Sequence, residues 1–130
     1  MADEGHLRIW LIEAHLDHNT ETWGKMDPYV KMTCREAEWK SSVDENAGKR
    51  PKWHNEYFDI QVHYLGDDLH FHVWDDDIGK DENIGVGSTK LSALALGHGI
   101  DEWFPIQYKG EPAGKIHLKT EWQPKHGHHH

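Results

Sequence analysis

Apolar side chains recur at every second position in short runs along this chain, and polar or Gly/Pro-containing stretches separate the runs. Successive strand side chains point to opposite faces, so this spacing predicts half-buried strands; a helix would repeat at every third or fourth residue. Leu7, Ile9 and Leu11 alternate with Arg8, Trp10 and Ile12, and Ala14 and Leu16 carry the run into the polar DHNTETWGKM. Residues 29–33 and 39–43 predict a second and a third strand. After the break GKRP at 48–51, Phe58, Ile60 and Val62 predict a fourth. Leu69, Phe71 and Val73 form one face of a fifth, with His70, His72 and Trp74 on the other. Residues 85–89, 102–106 and 115–122 predict the last three, and only LSALAL at 91–96 suits a turn or so of helix. Eight short strands and almost no helix predict an all-β fold, an eight-stranded antiparallel β-sandwich.

At 130 residues the chain is long enough to bury a core without staples, and no internal repeat or linker divides it. One domain is expected over residues 6–123, between an N-terminal tail at 1–5 and a C-terminal tail at 124–130. That second tail ends in His128, His129 and His130 behind His126 and Gly127, which reads as a purification-tag remnant and is set aside from metal chemistry. Cys34 stands alone, so no internal disulfide can form and a reducing, cytoplasmic home is expected. The N-terminus lacks the basic-then-apolar order of an export signal, and no apolar run approaches the length of a membrane span.

Charge changes the picture more than composition does. The net charge is −9, and two short segments hold most of it: residues 17–27 carry a net −2 and residues 75–82 a net −4. This distribution argues against a nucleic-acid surface, which would cluster Lys and Arg. Within VWDDDIGKDENIG, residues 73–85, five carboxylates fall in eight positions. Crowded carboxylates repel, so folding either spreads them into water or gathers them around a cation. Strand alternation, continued past the end of the fifth strand, predicts Asp75 and Asp77 on one side and Asp76 on the other. Calcium takes six to eight oxygens, more than one pair supplies, so the 17–27 segment is expected to approach. An EF-hand is excluded: counting Asp75 as position one puts Gly79 at five and Val86 at twelve, where ligands belong. His70 and His72 share a strand face but have no further Cys or His at ligand spacing, and they read as packed or solvent-facing side chains. No G-x-S-x-G elbow, phosphate-binding Gly/Lys loop or nucleophile beside a base is found, so the protein is not expected to be an enzyme.

Three motifs then occur in one order. GKMDPYVK at 24–31 resembles the G-K-x-D-P-Y-V signature of C2 domains; PKWHNE at 51–56 resembles their P-x-W-N-E, with His54 inserted; VWDDD with NIG at 73–85 resembles their third loop. The resemblance covers residues 6 to about 123. KSSV at 40–43 and GKIHL at 114–118 resemble small stand-alone members described in plants, and the opening LRIWLIEAHL with the closing GKIHL strand resembles the permuted, type II strand order. The inserted His54 implies a bulge.

The resemblance implies calcium held between loops one and three, with Asp27, Asp75 and Asp77 matching family aspartates. Glu21 and Glu82 stand where aspartate is usual, and Asp81 is a substitute for Glu82. It also implies a monomer that docks on anionic phospholipid membranes when calcium binds, as a peripheral signalling or targeting module, with Trp23, Met26 and Ile78 at the loop tips as membrane contacts. The alternative is a calcium-independent module that binds a protein or a phosphoinositide through a basic sheet face of Lys31, Lys40, Lys49, Arg50 and Lys52.

Overall fold

The computed structural model of the protein describes residues 4–20 and 24–125. Eight strands follow the alternating runs: β1 (Gly5–Leu16), β2 (Pro28–Cys34), β3 (Ala37–Lys40), β4 (Tyr57–Val62), β5 (Asp68–Asp75), β6 (Glu82–Lys90), β7 (Asp101–Tyr108) and β8 (Glu111–Pro124). The single helical turn, α1 (Leu91–Leu94), lies where LSALAL predicts it and buries Leu91 and Leu94. The strand order is β3-β2-β5-β6-β7-β8-β1-β4, with every pairing antiparallel. Between β6 and β7 the ladder thins to one pair, Val86 with Gln107. The arrangement is therefore two four-stranded sheets facing each other, hinged along that seam.

The core lies between the sheets and is built from the inward rows of each strand. Leu7, Ile9 and Leu11 of β1, Val30 and Met32 of β2, and Leu69, Phe71 and Val73 of β5 are almost wholly buried. Strand alternation accounts for this, because each row is the every-second-residue apolar set. At the outer end of the β1–β8 ladder Gly5 and Pro124 pair with each other. That pairing puts both described chain ends at one end of the sandwich. The connections 17–27 and 76–81 leave from the other end, since Leu16 pairs with Gly114 at the far end of the same ladder. This is the permuted order that the closing strand predicts.

At that pairing the chains approach so closely that a side chain would not fit. Gly114 has φ +133, and a Cβ there would sit 2.2 Å from the His15 carbonyl oxygen. The segment after β3 crosses between the sheets. The Ser41 and Asp44 amides donate to β2 carbonyls at Val30 and Pro28, and the Lys49 and Pro51 carbonyls then accept from Leu16 and Ala14 of β1. The bulge implied by His54 is present. The Trp53 amide bonds Ile12 and the Glu56 carbonyl accepts from Leu11, which leaves His54 and Asn55 looped out, Asn55 with φ 55.

Candidate metal site at the loop end

Asp75 ends the core-facing row of β5. Leu69, Phe71 and Val73 precede it on that face, and Asp75 itself is fully buried. One carboxylate oxygen, Oδ1, accepts the Asp27 backbone N–H at 2.8 Å, and the other, Oδ2, accepts the Thr20 hydroxyl at 2.7 Å. The Asp76 amide donates to the Asp27 carbonyl at 2.9 Å, so the loop after β1 and the end of β5 are joined by three hydrogen bonds. The two acidic segments thus meet, as the charge distribution predicts. Asp27 directs its own side chain elsewhere: Oδ1 accepts the Asn46 amide at 2.6 Å.

β5 stops at Asp75, so strand alternation does not carry on to Asp76 and Asp77. Asp76 and Asp77 are both exposed in the turn that follows. Asp77 Oδ1 accepts the Ile78 amide at 2.7 Å, a local turn contact, and the Asp77 amide donates to Asp81 Oδ1 at 3.1 Å. Asp76 does not face away alone; its side chain lies against Asp81 and adds negative potential at Tyr29. The Tyr29 hydroxyl donates to Asp81 Oδ2. That hydroxyl's hydrogen bond and the Asp77 amide hold the Asp81 carboxyl below the usual carboxylate range, while burial, the Asp81 hydrogen bond and nearby charge hold the Tyr29 phenol well above its ordinary value. Glu82 opens β6, is exposed, and pairs in register with Asp75.

Glu21 and Trp23 lie outside the described residues. Met26, expected at the membrane, is fully buried among the core residues, which corrects that expectation: the loop turns inward one residue before Asp27. Ile78 is fully exposed at the tip, beside Gly79 with φ 94.

The predicted basic face divides in two. Lys31 and Lys40 pair across β2 and β3. Lys31 Nζ sits 3.3 Å from Glu38 and its stem lines a groove of about 640 Å³ with His70, His72 and Trp74; Lys40 Nζ lies 4.4 Å from the centre of the Tyr29 ring. Lys49, Arg50 and Lys52 instead run beside β1, where Arg50 Nη1 reaches the Lys49 carbonyl at 2.9 Å. His72 stacks on Trp74 at 4.0 Å and bonds Asn83, in keeping with a packed histidine.

Whether these side chains suit a cation rests on Asp75. It is a buried carboxylate held by one amide and one hydroxyl, and among the described residues no Lys, Arg or His lies within ion-pairing distance of it. Burying an unpaired charge is costly, and a cation beside it would remove that cost. The Thr20 hydroxyl and the Asp27 carbonyl stand at the same meeting point, oxygen groups of the kind that suit calcium. The described residues do not close three such side chains on one point by themselves. Thr20, Tyr29 and Asn46 are the contributors that sequence reasoning missed. Tyr29 was in view inside the DPYV motif, but nothing in the residue string gives the direction of its hydroxyl.

The comparisons decide the family. A C2 domain model matches residues 5–106. The chain belongs to the C2 domain family. Extended synaptotagmin-3 of Xenopus tropicalis is 33% identical over 126 residues, 91% of this chain and 14% of the relative. Extended synaptotagmin-2 of Mus musculus is 32% identical over 126 residues, 92% of this chain and again 14% of the relative. The chain therefore spans about one seventh of the length of these relatives. Among solved structures, the C2A and C2B domains of extended synaptotagmin 2, calcium bound, superpose with a TM-score of 0.80 at 31% identity, covering 95% of this chain and 47% of that one. The C2A domain of plant extended synaptotagmin 1 also gives 0.80, at 21% identity and 98% and 99% coverage, and supports the fold. Within this C2 domain no helix of the described residues is long and apolar enough to cross a membrane.

Proposed function

We propose that this C2 domain binds calcium between the 17–27 and 75–82 segments and, when loaded, docks on anionic phospholipid membranes. The observation that carries the reading is buried Asp75, a carboxylate with no basic partner among the described residues, fixed where the two acidic segments meet. Each of its oxygens accepts one hydrogen bond and retains a lone pair for a metal. Asp27, Asp77 and Glu82 are the further carboxylates within the same loop end, with Glu21 from the sequence, and bound calcium would supply positive charge and open positions for phosphate oxygens. The likeness to a calcium-bound C2 pair at 31% identity supports the same reading.

Ligand binding to the folded state alone raises stability as RT ln(1 + [L]/Kd). Calorimetric titration of chelated protein with calcium should release heat and raise the melting temperature, and phosphatidylserine vesicles should tighten the apparent affinity. Magnesium should do neither well, because it keeps its waters in a small octahedral shell. Equal, negligible responses to both ions at millimolar concentration would sink the proposal.

A further inference from the structure

Loop three contains two acidic residues, Asp81 and Glu82, that could each complete a metal site; both line one cavity with Thr20 and Trp74, and their bonding partners set them apart. In β5 the core-facing row is Leu69, Phe71, Val73 and Asp75, and the outward row is His70, His72 and Trp74. Register partners on adjacent strands share a face. Tyr29 pairs with Trp74 and so belongs to the outward row, while Glu82 pairs with Asp75 on the core-facing side. Asp81 is bonded to the Tyr29 hydroxyl. Its other oxygen holds the Asp77 amide at 3.1 Å. Both Asp81 oxygens are thus engaged, one by the β2 tyrosine whose ring lies against Lys40 and one by the turn itself.

We propose that Tyr29 is a positioning residue that holds loop three through Asp81, and that Glu82, not Asp81, stands with Asp75 toward the calcium. This rests on the calcium reading given above and specifies it. The Tyr29–Asp81–Asp77 chain fixes the turn that places Asp77, and so pre-organises the acidic loop before a cation arrives.

The test is a double-mutant cycle read by calcium calorimetry, with Tyr29→Phe, Asp81→Asn and the two combined. Losing one hydrogen bond to a charged group, felt at the metal only in part and through the turn, predicts a loss of roughly three- to tenfold in affinity for each single variant. Because both act through one bond, the combined variant should be no weaker than either alone. Glu82→Gln should lose more than any of them. In chelator, Tyr29→Phe and Asp81→Asn should each speed hydrogen exchange at the Asp77 amide and leave the amides of β7 and β8 unchanged. Asp81→Asn costing far more than Tyr29→Phe, with the two losses adding, would overturn the proposal and make Asp81 a ligand. So would an Asp77 amide that exchanges equally fast in wild type and variants. Wild-type protein giving no calcium heat would overturn the calcium reading itself, whereas wild-type binding with Tyr29→Phe unaltered would overturn the positioning role alone.

Discussion

On the calcium reading proposed above, Asp75 works against folding and for binding. Its carboxylate is desolvated with neutral partners, and the charge costs stability unless a cation arrives. Asparagine can reproduce both contacts: its carbonyl accepts the Asp27 amide, and its amide donates to the Thr20 hydroxyl oxygen. Asp75→Asn should therefore melt in chelator at or above the wild-type temperature, and should lose most of the calcium-dependent rise. Asp75→Ala orphans the Asp27 amide and should melt lower in chelator by the equivalent of about 1–3 kcal/mol. An Asp75→Asn protein that still gains the full calcium shift would remove this carboxylate from the site. Met26 makes the opposite case. Its thioether is core, so Met26→Ala should cost about 2–5 kcal/mol in urea unfolding. Vesicle binding of the folded variant at saturating calcium should not change.

At the scale of elements, the strands were legible because period two survives in nearly every run, from Leu7–Ile9–Leu11 to the β5 row. What escaped was where a strand ends. Alternation alone would run on to Asp77, but β5 stops at Asp75, where the turn satisfies its own amides with the Asp77 and Asp81 carboxylates. Side-chain period carries no information beyond the last ladder pair. The Met26 reading failed for a similar reason, as an apolar residue in an acidic loop can turn to either side and only packing decides. A second element-scale feature was invisible in sequence: His117 of β8 lies between Glu13 of β1, 3.2 Å from Nδ1, and Asp101 of β7, bonded through Nε2, and stacks on Trp103 at 4.8 Å. Burial pulls the imidazolium down, but Asp101 and Glu13 together outweigh it and leave the pKa raised. A raised folded pKa contributes stability that is full below the unfolded value, about 6.5, and fades as pH climbs through the folded value. The stability difference between wild type and His117→Gln should therefore be largest near about pH 6 and shrink toward about pH 9. Urea midpoints across that range would measure it, and a difference that stays constant would show the contact to be uncharged packing.

At the scale of the whole molecule, Gly5 and Pro124 pair at one end of the sandwich and the acidic connections leave from the other. In chelator the two segments, at −2 and −4, repel anionic headgroups. Two or three calcium ions, bringing about +4 to +6, would cancel that charge and offer positions to phosphate oxygens. On that proposed reading Ile78, fully exposed at the tip of loop three, would gain by entering the interface. Vesicles containing phosphatidylserine should sediment the protein with calcium and release it with chelator, and purely zwitterionic vesicles should bind much less. Ile78→Ser should weaken sedimentation by roughly tenfold, because burying such a side chain is worth about 1.5–3 kcal/mol, and should leave calcium affinity in solution unaltered since it supplies no ligand oxygen. Salt separates the two contributions. Raising ionic strength from about 0.1 M to about 1 M shortens the Debye length from about 10 Å to about 3 Å, so the electrostatic part should fall while the deficit of Ile78→Ser relative to wild type persists. Sedimentation that is equal in chelator and calcium would exclude the cation as the bridge. Dependence on calcium with indifference to both salt and Ile78 would leave direct headgroup coordination by the metal as the whole of the attachment.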